Sequence, residues 1–189
     1  YVFFVIVITQ FLEVGLDVGP LSLSPEAFFG VLLAVEMLVA LVSMPPAARA
    51  AERVGLKPVV ALGFLVYAVF PVLLINVPAD TPLTAPLVVA LFAFSGLRFA
   101  GLPAHKALIV GPAERDTGGR VSGSYYLLRN VVVIPSAALG GLIYGGFSVP
   151  RTDVSVAGDP VVAFGLASAI GLVGVAYFAL FGTEYDAYA

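Results

Sequence analysis

Apolar residues run along this chain in long blocks separated by short polar stretches. The block lengths approach or exceed the roughly 20 residues that a membrane-crossing helix needs. Six blocks are predicted as helical spans, over about 1–18, 27–46, 58–76, 87–110, 121–146 and 161–182. The breaks carry turn chemistry. "DVGPLSLSPEA" and "NVPADTPLTAP" are rich in proline and small polar residues. "RVGLKP" offers Gly55 as a helix C-cap and Pro58 for the first turn of the next helix. "VGPAERDTGGR" stops a helix at Gly111-Pro112, and "FSVPRTDVSVAGDP" is the longest connection. Strands of a β-barrel would be about ten residues of strict alternation, and these blocks are too long and too uniformly apolar. The first block begins at Tyr1 with neither a basic lead nor a cleavage site of the signal-peptide kind, so the chain is expected to be cut from something longer.

Composition agrees with lipid as the solvent. Hydrophobic residues make up 60% and charged ones 11%, with a mean hydropathy of +1.06; soluble domains sit near roughly 45–50% and 25%. A core of this size could not hide so much apolar surface from water. There is no cysteine and one histidine, His105, which excludes disulfides and multi-histidine metal centres. No metal and no cofactor are expected. A net charge of −3 and a pI near 5.0 argue against nucleic acid as a partner.

Lysine and arginine in short loops set orientation. The second loop holds Arg49, Arg53 and Lys57, and the fourth holds Arg115 and Arg120, whereas the first, third and fifth together offer Arg151. Loops two and four, and with them both termini, are therefore expected on the cytoplasmic side of a plasma or inner membrane.

The ionisable residues inside the spans are the candidates for chemistry. Span one carries Glu13 and Asp17, one turn apart, with Thr9 and Gln10 beside them; span two carries Glu36. Span four carries Arg98, with Ser95 and His105 on the same predicted face, and span five carries Arg129 aligned with Ser122, Tyr125 and Ser136. Spans three and six have no charge and are expected outside any polar cavity. The pattern thus repeats every three helices, acids in the first triplet and bases in the second. A charge near the bilayer centre costs about 2.5–3.5 kcal/mol on insertion scales, and a partner of opposite sign offsets it. Arg98 is expected to pair with Glu36 or Glu13. Glu13 and Asp17 repel each other unless one takes up a proton or a cation. An Arg–Glu pair between packed helices can also serve stability alone. Gly141-x-x-x-Gly145 is a helix close-packing signal, and Pro71, Pro103 and Pro135 are candidate kinks.

This charge map resembles the C-terminal half of a major facilitator superfamily transporter, whose halves each comprise two inverted three-helix repeats with the substrate near the midplane. A local motif strengthens the resemblance. The family carries G-x-L-x-D-R-x-G-R-K/R in the loop after the second helix of a half, and here "ARAAERVGLK" aligns Glu52, Arg53, Gly55 and Lys57 with its D-R-x-G-x-K. Ala48, Ala50 and Leu56 depart from the pattern, as a degraded C-terminal copy would. The resemblance implies an all-α membrane protein with six transmembrane helices as two inverted three-helix repeats, one domain over 1–189. It implies alternating-access transport of a small-molecule solute coupled to a proton or ion, in efflux or uptake. Its implied partners are the lipid bilayer and the missing N-terminal six-helix half. The implied cavity residues are Glu13, Asp17, Glu36, Arg98, Tyr125 and Arg129, and the implied gating loop is Glu52, Arg53, Gly55 and Lys57. A cavity arginine inclines this reading toward an anionic or polar solute.

Two other readings compete. A self-contained half-size protein could build its cavity by homodimerising, or the chain could be a membrane scaffold without transport. An intramembrane protease is not expected, because the serine of "AFSG" (residues 93–96) and His105 lie about 15 Å apart along one helix.

Overall fold

The computed structural model describes residues 2–18, 20–113, 116–150 and 155–185. Among these described residues, five helices are long and apolar enough to cross a membrane: α2 (Pro25–Val54), α3 (Leu56–Ile75), the stretch Thr84–Val110, α6 (Gly118–Gly145) and α7 (Pro160–Phe181). Local chemistry sets their starts. Ser24 caps α2 by accepting from the Ala27 N–H at 3.3 Å, ahead of Pro25 and Glu26 in the first turn. Asp159 does the same for α7 through the Val162 N–H at 3.0 Å, ahead of Pro160.

The first block departs from the expected 1–18 span. Helix α1 (Val2–Ile6) runs into a π-turn over Val7–Phe11, and the chain then leaves the helix. Glu13 adopts φ 45°, a left-handed conformation rare for a side-chain-bearing residue. Strand β1 (Leu16–Val18) pairs antiparallel with β2 (Leu21–Leu23), Asp17 opposite Ser22. Gly15 permits the return, because a Cβ there would lie 2.5 Å from the Leu23 carbonyl oxygen. A second hairpin, β3 (Gly146–Ser148) with β4 (Ser155–Ala157), links α6 to α7. The fold is mostly helical rather than strictly all-α.

Three further features differ from expectation. Pro45 and Pro46 do not end α2. The helix continues through Arg49, Glu52 and Arg53, so the second loop shrinks to Gly55 at φ 93°. The fourth span is broken: α4 (Thr84–Gly96) tightens into a 3-10 turn over Leu97–Phe99 and restarts as α5 (Leu102–Val110), with Pro103 in its first turn. Gly141-x-x-x-Gly145 is not a tight helix crossing among the described residues, since none of them beyond its own helix comes within 4 Å of a Cβ at Gly145, and at Gly141 the nearest is the Phe3 ring at 3.9 Å.

Helix α3 packs along α7, and α2 packs along α4. Close approach of α3 and α7 depends on Gly171, where a Cβ would sit 2.8 Å from that of Ala68. Pro71 removes one backbone donor inside α3, and the next residue's N–H, that of Val72, reaches the Ser168 hydroxyl of α7 at 3.1 Å. One core cluster gathers Val7, Ile8, Leu12, Phe28, Leu32, Phe70, Leu74, Val88, Phe92 and Phe164. A second, smaller cluster of Ala51, Leu56, Val59, Val60 and Ala104 lies at the α2–α3 elbow. No described residue of α6 is buried, and Leu127, Leu128, Val131, Val132 and Ile134 stand exposed on it.

Candidate functional site

Glu36 and Arg98 meet inside the bundle. An Arg98 Nη2 to Glu36 Oε1 distance of 2.9 Å joins α2 to the 3-10 turn in the broken helix. Glu36 is 1% exposed and Arg98 8%. Ser95, also buried, donates its hydroxyl to the same carboxylate oxygen at 2.5 Å. Gly96 lets α2 and α4 come this close: a Cβ there would lie 2.5 Å from the Glu36 carbonyl oxygen and 2.8 Å from the Val39 side chain. Behind the turn, a Cβ on Gly63 of α3 would lie 3.2 Å from the Arg98 carbonyl oxygen.

The guanidinium is wrapped in aromatic rings. Its Cζ lies 4.7 Å from the Phe99 ring centroid, 5.1 Å from Tyr67, 5.9 Å from Phe70 and 6.0 Å from Phe4, within cation–π range. Tyr67 and Phe70 belong to α3, so the uncharged third span does not stand apart from the charged centre. Its rings form part of the wall. Tyr67 and Phe4 also line a cleft of about 260 Å³ between α1, α3, α6 and α7, where Ser136 and Tyr144 supply further hydroxyls. Arg98 therefore has a matched charge and covered faces, and it presents no bare cation to an anionic solute.

The other expected site residues do not converge here. Glu13 and Asp17 are exposed, in the turn and strand that follow the π-turn. They do not share a helix face, because the helix ends before either residue. Arg129 is exposed on α6. Tyr125 binds instead to His105, hydroxyl to Nε2 at 3.2 Å, tying α6 to α5. His105 had been expected on the face of Arg98. The 3-10 turn advances three residues per turn instead of 3.6, so α5 is out of phase with α4 and His105 emerges against Phe64 and Tyr125. In the expected gating loop, Glu52 and Arg53 are exposed at the end of α2 and Lys57 opens α3. Arg115 and Arg151, used for orientation, lie outside the described residues.

Sequence reasoning missed three contributors: Gly96, Tyr67 and, at the α2–α3 elbow, Glu184. Gly96 follows the Ser95 already singled out, and a glycine beside polar residues in an apolar run could have pointed to close backbone approach. No group of three or more metal-ligating side chains is present among the described residues. No protein-family model, curated protein or solved structure matches this chain.

Proposed function

We propose that the chain is a six-span half of a secondary transporter of the major facilitator type, built as two inverted three-helix repeats, with the Glu36–Arg98–Ser95 cluster as its coupling centre. One observation carries the reading: a buried pair of opposite charges links the acidic first triplet to the basic second one at a break in a membrane-length helix. Broken helices near the midplane are where transporters of this kind place their sites, and intramembrane ionisable residues mark ion and substrate paths by default. The packing supports the repeat. Exchanging the triplets maps α3–α7 onto itself and α2–α4 onto α6–α1. Of the second contact there is one ring pair, Phe3 with Tyr144, whose centroids are 5.7 Å apart.

Arginine stays charged, so the proton-exchanging member is Glu36. Protonation of Glu36 breaks the pair and leaves Arg98 to a solute or to its rings. Because the resting pair is neutral and the adjoining cleft is aromatic with hydroxyls, the solute favoured here is uncharged or weakly polar rather than a strong anion. The test uses the full-length protein in vesicles with an internal pH-sensitive dye, scanned over small solutes. Glu36→Gln and Arg98→Gln should each leave an inserted, folded protein without solute-driven proton movement. A double variant that regains both folded yield and full transport would make the pair purely structural and end the proposal.

A further inference from the structure

The segment that follows α7 reaches back to two glycines at the ends of other helices. Gly55 is the only residue between α2 and α3, and the first amides of α3 have no acceptor within their own helix. Glu184 supplies one. Its Oε1 accepts from the Leu56 N–H at 3.0 Å, and both its oxygens accept from the Lys57 N–H, at 3.2 and 3.0 Å. An anion at a helix N-terminus is favoured by the aligned peptide dipoles. The carboxylate rests on bare backbone: a Cβ at Gly55 would lie 2.6 Å from Glu184 Oε2, and its φ of 93° already disfavours any side chain. The next residue repeats the arrangement. The Tyr185 ring covers Gly111 at the end of α5, where a Cβ would overlap the ring, and packs against the small cluster around Leu56 and Ala104.

We propose that residues 182–185 form a strap that clips the ends of α3, α5 and α7 together and closes one side of the cleft holding the His105–Tyr125 pair. That cleft is about 560 Å³ and is lined by Phe64, His105, Tyr125 and Phe178 together with Thr183, Glu184 and Tyr185 of the strap itself. The strap is non-covalent, and the Glu184 side chain that anchors it is exposed, so the contact can open without unfolding a helix. Opening exposes the α5–α6 tie at His105 to water from this end of the bundle. The aligned Glu52-Arg53-x-Gly55-x-Lys57 stretch thereby gains a partner from a distant part of the chain. Its Gly55 and Lys57 backbone forms the seat, while Glu52 and Arg53 stay exposed beside it. None of this depends on whether the protein transports a solute.

The test compares the full-length protein in lipid nanodiscs with its Glu184→Ala variant by amide hydrogen exchange and by diethyl pyrocarbonate modification of His105, mapped by peptide mass. Opening the strap should raise exchange at Leu56 and Lys57 by about tenfold and speed His105 modification, with α2, α6 and the Glu36 region unchanged. If neither reading moves, the strap does not exist in the membrane. If exchange rises throughout the chain, Tyr185→Ala decides, because it leaves the carboxylate in place. Faster exchange confined to residues 108–113, with faster His105 modification, supports the strap, and no change there overturns it.

Discussion

Gly96 decides how near the two buried charges can come. Its bare Cα faces the Glu36 carbonyl at a spacing that no side chain fits, so the Ser95–Glu36–Arg98 contacts depend on a residue that makes none of them. Gly96→Ala should push α4 off α2 and cost about 1–3 kcal/mol, as over-packing a tight contact does. Thermal unfolding in detergent reads that loss, and an unchanged midpoint would show that the helices are not held this close. At this scale the sequence was informative where chemistry is one-sided. A lone arginine mid-span must find an acid, and Glu36 was one of the two acids proposed for it. It misled where backbone geometry intervenes. Glu13 and Asp17 look like helix neighbours until Gly15 and the hairpin remove the helix, and Arg129 looks like a cavity residue only if α6 turns that face inward.

Elements in this bundle are interrupted and then held from outside. Helix α3 contains Pro71, yet it continues, and the Ser168 hydroxyl of α7 takes the Val72 N–H just past the proline. Three residues further along α7, Gly171 lies against Ala68. These two positions set the α3–α7 seam, and they fail differently. Ser168→Ala should cost about 0.5–1.5 kcal/mol, the net worth of one hydrogen bond. Gly171→Leu should cost more, about 1–3 kcal/mol, by forcing the helices apart. Paired unfolding measurements check the order, and a Ser168→Ala loss larger than that of Gly171→Leu would contradict it. The existence of the long helices was legible because their apolar runs exceed any strand. Their ends were less so: the second span was expected to end at residue 46, but α2 runs on through Pro45 and Pro46 to Val54, and the 3-10 turn at Leu97–Phe99 leaves no composition signal beyond its flanking glycines.

For the molecule as a whole, the connections sort into two ends. Hairpin β1–β2 abuts the core cluster that also contains Ile75 and Val77 at the end of α3. The α2–α3 elbow, the end of α5 and the segment after α7 meet at the opposite end through Glu184 and Tyr185. Hydropathy could reveal five of the long apolar helices, because they follow from how much apolar surface must be kept from water, but it counted a sixth over residues 1–18 where the chain leaves the helix at Phe11. It could not reveal which helices touch, since α3–α7 and α2–α4 are chosen by glycines, prolines and hydroxyls whose partners lie far away in sequence. Orientation rests on the basic residues of the elbow end, Arg49, Arg53, Lys57 and Arg120. The chain has no cysteine, so an introduced one is a clean reporter within it. Cysteines replacing Arg53 and Asp116 should be protected from an impermeant maleimide in intact cells and labelled once the membrane is opened. Cysteines replacing Ser22 and Phe147 should be labelled in intact cells. Labelling of Arg53→Cys and Ser22→Cys from the same side would break the two-ended arrangement itself, whereas a clean exchange of sides would keep the fold and reverse only its orientation in the membrane.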